Sequence, residues 1–369
     1  MRSFLNRLSK AAFLALVPGV LAFTPQLADA DELSDLNERV LKIEKTQAEL
    51  YHTLEEKKEP GLKAMISDRI QLGGLLEVEA HVDSNDVDGN SSDITLATFE
   101  LAIDAKINDR VRTHVLFLWE EDETDFVDID EGTIIIDLAE GVSLTAGKMY
   151  LPFGVFESHF ISDPLTLELG ETNETALLVS YSAGPLGLSA GAFRGSVAEQ
   201  GDEDNVRDYV LSASYAPNED IVLSAFYLSD IADSDAGLFD TNITPFMTDT
   251  VAGWGAFASI TKGAVQASAE YISAVKRFDP ADLASVNAGG DKPMAYNLEV
   301  AYDVSDKLEV AAKYEGSDDF AGFPKRQYGA AASYALFENV STSIEFLHGE
   351  FADNAGDRDL VTVQLAVQF

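Results

Sequence analysis

From Arg69 to the C-terminus, apolar and polar residues alternate with a period of two, and clusters of turn residues interrupt the alternation at regular intervals. The pattern predicts strands near 70–82, 93–107, 110–120, 131–138, 142–149, 175–182, 186–195, 206–216, 221–229, 250–261, 264–275, 293–304, 307–315, 326–337, 340–349 and 358–369, sixteen in all. Tight connections at Asn108-Asp109, Gly184-Pro185, Pro217-Asn218, Lys262-Gly263, Ser305-Asp306 and Glu338-Asn339 carry hairpin residues. Between them lie eight longer polar loops, so short turns and long loops take opposite ends of the sheet.

The two faces of each strand decide between a soluble sandwich and a membrane barrel. In 293–304, Met294, Tyr296, Leu298, Val300 and Tyr302 oppose Asn297, Glu299 and Asp303. In the last strand Val361, Val363, Leu365, Val367 and Phe369 oppose Thr362, Gln364 and Gln368. An apolar face against a polar, charged one suits lipid outside and water inside. Because direction reverses at every strand, each outward aromatic has a height. Tyr181, Tyr215, Tyr302, Tyr334 and Phe369 fall near the short turns. Trp119, Tyr209, Tyr227, Tyr271, Tyr296, Tyr314, Tyr328 and Phe346 fall near the long loops. Two girdles are what a bilayer with two polar interfaces selects. The expected fold is all-β, a transmembrane antiparallel barrel of about sixteen strands over 70–369. The terminal Phe369 resembles the signal read by the barrel-assembly machinery of the outer membrane. An even strand number puts both barrel ends on the short-turn side, taken as periplasmic.

Sixteen strands enclose an aqueous lumen. The expected inward charges include Glu77, Glu79, His81, Glu100, Asp104, Lys106, Arg112, His114, Asp137, Glu270, Glu299, Asp303, Glu309, Lys313 and Glu345. Acids predominate, and fixed acids along a pore favour cations within a screening length of roughly 8 Å. Cross-strand ion pairing would cancel part of that field. The whole chain has a net charge of −39, which argues against nucleic acid as a partner. The acid-rich segment 120–131 is either a solvated loop or a divalent-cation bridge to lipopolysaccharide phosphates. Neither a disulfide frame nor a thiolate metal site is available, because cysteine is absent. The histidines are too dispersed to nominate a metal or a base, and Ser158 next to His159 says little about geometry, so no enzyme and no cofactor are expected.

The first thirty residues read as a secretory signal peptide. Arg2, Arg7 and Lys10 precede an apolar stretch, and Ala28-Asp29-Ala30 offers a cleavage site. From Leu33 the apolar spacing becomes 3-4-3-4 through Leu36, Val40, Ile43, Gln47, Leu50 and Leu54. This predicts a periplasmic coiled-coil helix over 31–58 that joins protomers, a trimer being expected, through residues 33–54. A single amphipathic helix docked on its own domain is the alternative. A linker over 59–69 follows.

One stretch breaks the alternation: "GKMYLPFGVFESHFISDPLTLELGE", Gly147 to Glu171. It occupies the third long loop, 150–174, and is too apolar for a solvated loop. Asp163 and Pro164 read as N-cap and first helical position, with Gly170 as the stop of a short helix. The loop is expected to fold into the barrel and narrow it. Phe153, Phe156, Glu157, His159, Asp163, Glu168, Glu171 and Glu174 are the candidates for the substrate path. The alternative is packing on the outer rim or against a neighbouring protomer.

"AGKMYLPFG" followed by "FESHFISDPLTLELGETNETALLVSY" resembles the LbtU-type siderophore porins, as do the heptads and the terminal Phe369. The resemblance implies passage of a ferric siderophore through the outer membrane of a Gram-negative bacterium without a TonB-coupled plug. About forty residues of heptad and linker are too few for such a plug. A general cation-preferring porin for small hydrophilic solutes, and a purely structural barrel, remain as alternatives.

Overall fold

The computed structural model describes residues 69–369, apart from 88, 122, 123, 125, 202–204, 288, 289, 353 and 354. The signal segment, the heptad helix and all of the linker except Arg69 lie outside the described residues. Sixteen strands follow one another as β1 (Ile70–Asn85), β2 (Ser91–Lys106), β3 (Val111–Trp119), β4 (Asp128–Ala139), β5 (Val142–Tyr150), β6 (Asn173–Ala183), β7 (Leu186–Phe193) and β8 (Asp208–Asn218). The second half is β9 (Ile221–Leu228), β10 (Gly253–Lys262), β11 (Val265–Ala274), β12 (Met294–Ser305), β13 (Leu308–Asp318), β14 (Arg326–Phe337), β15 (Val340–Glu350) and β16 (Asp357–Gln368). The α-helix α1 (Leu165–Gly170) lies between β5 and β6.

Every strand is antiparallel to its chain neighbours, and β1 pairs with β16 to close the barrel. Closure leaves no sheet edge, which is the condition for spanning hydrocarbon with strands. The seam runs from Leu75 opposite Gln368 to Asn85 opposite Arg358. Beyond it, Gly74 and Phe369 exchange backbone hydrogen bonds of 2.8 and 3.1 Å. The Phe369 ring lies over Gly74 so closely that any Cβ there would clash with it. The terminal aromatic therefore locks the seam as well as facing outward.

Outward positions match the alternation. Tyr181, Tyr215, Tyr302, Tyr334 and Phe369 are exposed at the short-turn end, and Tyr209, Tyr314, Tyr328 and Phe346 at the loop end. Trp254 joins the loop-end girdle, its ring centroid 5.2 Å from that of Tyr271. One turn differs from expectation: β8 continues through Pro217 and Asn218 over an irregular register, so the chain reverses at 219–220. A proline at a strand end loses no ladder bond that the sheet requires.

Candidate functional site

The third long loop, 151–172, lies inside the barrel. Its base is closed by a 2.8 Å bond from Leu151 N–H to the Thr172 carbonyl. Its tip reaches the far wall at β15, and it returns through α1, which packs beside β11, β12 and β13. The helix N-cap is Pro164 rather than Asp163, with no side-chain cap. Gly170 ends the helix without a left-handed turn. It is needed for space, because a Cβ would meet Ile272 and the Phe156 ring.

Backbone N–H groups of a loop at membrane depth need acceptors. Four wall glutamates provide them. Glu270 on β11 accepts from the N–H groups of Val155 (2.6 Å) and Phe156 (3.0 Å) and from the Thr166 hydroxyl (2.9 Å). Glu299 on β12 accepts from Ser158 Oγ and from His159 N–H, both at 2.7 Å. Glu315 on β13 accepts from Leu165 N–H at 2.9 Å. Glu345 on β15 accepts from Ile161 N–H at 2.7 Å and from the backbone and hydroxyl of Ser162. Lys313 on β13 lies 3.7 Å from Glu299, 3.3 Å from Glu315 and 4.6 Å from the Phe160 ring centroid, its side chain fully buried. One lysine thus offsets two clamp carboxylates and holds a loop aromatic.

The apolar side of the loop has its own seat. Leu151, Phe153, Phe156, Leu165, Leu167 and Leu169 form one buried cluster with inward residues of β6–β12, among them Leu178, Phe193, Val210, Phe226, Phe257 and Ile272. Ile231, Leu238, Met247, Phe278 and Phe320, from the later long loops, complete it. Phe156 adopts a left-handed backbone (φ 57°), and its ring covers Gly154 and Gly170, where a Cβ would leave it no room. Phe160 sits separately on Ala301, Ala311, Ala331, Leu347 and Leu360.

The candidates from sequence therefore separate into groups. Phe153 and Phe156 lie in the apolar cluster, packed on the wall. Glu270, Glu299, Lys313 and Glu345 face inward and hold the loop. Glu157, His159, Asp163, Glu168 and Glu174 are half-buried, and Glu171 is buried. His159 Nδ1 lies 2.9 Å from Glu309, while Ser158 donates to Glu299, so the adjacent pair serves two different carboxylates. On the wall away from the clamp, His114 pairs with Asp104 and Arg112 with Asp137, each at 2.9 Å, while His81 lies half-buried on β1. Asp163 lies within electrostatic reach of Glu77 and Glu79, and Glu100 within reach of Glu77, Glu120, Asp130 and Glu131. Neither carboxylate oxygen of Glu77 makes a hydrogen bond of ordinary geometry. Acids that take no part in the clamp thus collect along β1–β4.

Two groups escaped the sequence reading. Glu315 has the parity of Lys313 and Ala311 and closes the predicted strand 307–315, so carrying its inward face one period past Lys313 would have found it. The inward apolar residues of β6–β11 had a signal too: "ALLVSY" and "AFYL" are apolar on both faces.

A family model described as Gram-negative porin matches residues 64–354. A UPF0422 protein of Legionella pneumophila is 24% identical over 343 residues, covering 80% of this chain and 62% of the relative, so the chain spans about three-fifths of that protein. Among solved structures, Salmonella typhi OmpF superposes with a TM-score of 0.60 at 13% identity, over 81% of this chain and 97% of OmpF. An anion-selective porin from Comamonas acidovorans gives a TM-score of 0.60 at 13% identity, over 81% and 99%. At such identities the likeness is one of fold.

Proposed function

The chain belongs to the Gram-negative porin family, and on that premise we propose that it is a substrate-restricted outer-membrane channel that takes up an iron–siderophore without TonB coupling. The observation that carries the restriction is the clamp: residues 151–172 are tied to β11, β12, β13 and β15 by Glu270, Glu299, Glu315 and Glu345. A narrowing held at four points presents a preset aperture, and preset apertures select by size and surface chemistry rather than by induced closure. The cargo class rests on the resemblance of Gly147–Glu171 to the siderophore porins. Trimerisation through residues 33–54 and periplasmic placement of both termini belong to the same reading.

A second reading is a general cation-preferring porin. The inward acids of β1–β4 that lie outside the clamp, Glu77, Glu79 and Glu100 among them, support it when ionised. Planar-bilayer recording separates the two. Micromolar ferric siderophore should block the ionic current of a restricted channel in a concentration-dependent way. An unblocked current with a cation-selective reversal potential would establish the general porin instead.

A further inference from the structure

On the short-turn side of the loop tip, five residues stand at one height on five adjacent strands. Asp303 on β12 lies opposite Glu309 on β13, Glu309 opposite Ser333 on β14, Ser333 opposite Ser343 on β15, and Ser343 opposite Gln364 on β16. The row lies two residues nearer the turns than Ala301, Ala311 and Ala331, which seat Phe160. Together with loop residues 158–161, all five line a cavity of about 230 Å³ that extends to the β12–β13 turn at Asp306 and Lys307.

The row is acidic at one end and hydroxylic in the middle. Asp303 and Glu309 are like charges directly opposed, an arrangement that costs stability and that a cation relieves. His159 Nδ1 lies 2.9 Å from Glu309. The Asp303 carboxylate is exposed and, among the described residues, has no hydrogen-bond or ion-pair partner. Further along, Ser333 and Ser343 share a 2.9 Å hydrogen bond. Two hydroxyls joined by one bond keep a proton to donate and lone pairs to accept with. From the loop, Phe160 and Ile161 add apolar lining. The fixed charges around the cavity are Asp303, Asp306 and Glu309 against Lys307, with His159 titratable, so a cation is favoured over an anion.

We propose that this cavity binds one hydroxylated primary ammonium ion of monosaccharide size, an amino sugar in its protonated form. The ammonium group donates to Asp303 and Glu309, three N–H groups against two carboxylates. Neighbouring strands lie about 4.8 Å apart, so the serine pair stands one to two strand spacings along the wall from Glu309, within the span of a substituted six-membered ring. Ring hydroxyls exchange hydrogen bonds with Ser333 and Ser343, and the C–H face of the ring packs on Phe160 and Ile161. Pockets for drug-sized ligands run to about 300–1,000 Å³, so a ferric siderophore is too large for this one. The site is therefore separate from the cargo proposed above and is tested apart from it.

The test uses the full mature chain in mild detergent, with glucosamine binding followed by ligand-observed NMR at pH 6, where the amine is protonated. Glucosamine should bind at least tenfold more tightly than glucose or N-acetylglucosamine, which lack the charge, and than methylammonium, which lacks the hydroxyls. Asp303→Asn should weaken glucosamine about tenfold and Ser343→Ala about threefold. Glu140→Gln, exposed at the β4–β5 turn, should leave it unchanged. Asp303 is exposed, so its variant remains informative if Ser343→Ala fails to fold. Absence of glucosamine binding, equal binding of glucose or of methylammonium, unchanged affinity in Asp303→Asn, or equal weakening by Glu140→Gln would each overturn the proposal. Because binding is read without any current, its failure leaves the siderophore block to be judged by the bilayer recording alone.

Discussion

Glu345 on β15 accepts a 2.7 Å hydrogen bond from the backbone N–H of Ile161, 184 residues earlier in the chain. The bond ties the tip of the inward loop to the wall across the barrel from its base. A carboxylate is suited to the place because it accepts two neighbouring N–H groups and a hydroxyl at once, where a neutral side chain has fewer lone pairs. An acid that reads as a pore charge in the sequence is, in the fold, a fastening.

Glu345→Ala should therefore free the tip without unfolding the barrel. Charge-assisted bonds contribute about 1.5–3 kcal/mol each, so loss of this fastening should raise hydrogen exchange at 158–163 by at least tenfold. Single-channel conductance should rise and become noisier. Deleting 155–170 should raise conductance further and abolish block by solute. Unchanged conductance in both variants would remove the loop from the role of gatekeeper.

Lys313 should behave as a shared counter-ion. Lys313→Met leaves Glu299 and Glu315 buried beside each other without their cation, and breaking a buried pair from one side costs about 3–5 kcal/mol. The variant should lose its folded, heat-modifiable electrophoretic form at a lower temperature than the parent. Adding Glu299→Gln should restore part of the loss. A purely additive double variant would show that Lys313 and Glu299 act independently.

Much of this fold is legible from alternation, because a strand between lipid and water must change polarity at every residue. All sixteen strands lie where the pattern places them, and their ends differ by a few residues where polarity no longer matters, as at Pro217. The inner wall of β6–β11 was less legible. Phe193, Val210, Phe226 and Ile272 face inward yet are apolar, because what they face is the folded loop rather than water. The clamp was visible only as a list of acids. Which acid meets which N–H depends on contacts more than a hundred residues apart, such as Glu270 with Val155, and no local pattern encodes them. The loop itself announced its departure from the wall by composition, while its helix begins one residue later than the Asp163-Pro164 signal suggests.

Selectivity should follow from the inward acids of β1 and β2 that do not hold the loop. Recorded at alkaline pH, where all three buried carboxyls are ionised, Glu77→Gln, Glu79→Gln and Glu100→Gln together should lower cation preference, seen as a reversal potential nearer zero in a potassium chloride gradient. The shift should be larger at 0.1 M than at 1 M salt, since the screening length falls from about 10 Å to about 3 Å. Glu270→Gln removes a single charge, from a carboxylate bonded to Val155, Phe156 and Thr166, and should move selectivity less than conductance. The reverse ranking would place the selective field at the clamp.

The later loops should loosen as pH rises. Asp230 and Asp233 lie between β9 and β10 and are almost fully buried. Burial raises Asp230 to about 7, and burial together with the neighbouring Asp230 raises Asp233 to about 8. One oxygen of each is bonded, Asp230 to Ala232 N–H at 3.0 Å and Asp233 to Val197 N–H at 2.9 Å, and the other oxygen of each makes no hydrogen bond of ordinary geometry. Asp208 and Glu174 add negative charge nearby, with Arg207 the cation acting on Asp230. An unfolded aspartate titrates near 3.9, so the packed state binds more protons than the open one between about pH 4 and 8. Its stability is fullest below the unfolded value, falls as pH climbs through that window and levels off above about 8. Hydrogen exchange at 195–199 and 230–234, corrected for its intrinsic pH dependence, should be better protected at pH 6 than at pH 8.5. Asp233→Asn keeps an acceptor for Val197 and removes one titrating charge, so it should flatten that difference. Equal protection at both pH values in the parent would mean that both carboxyls are already ionised in the packed loops.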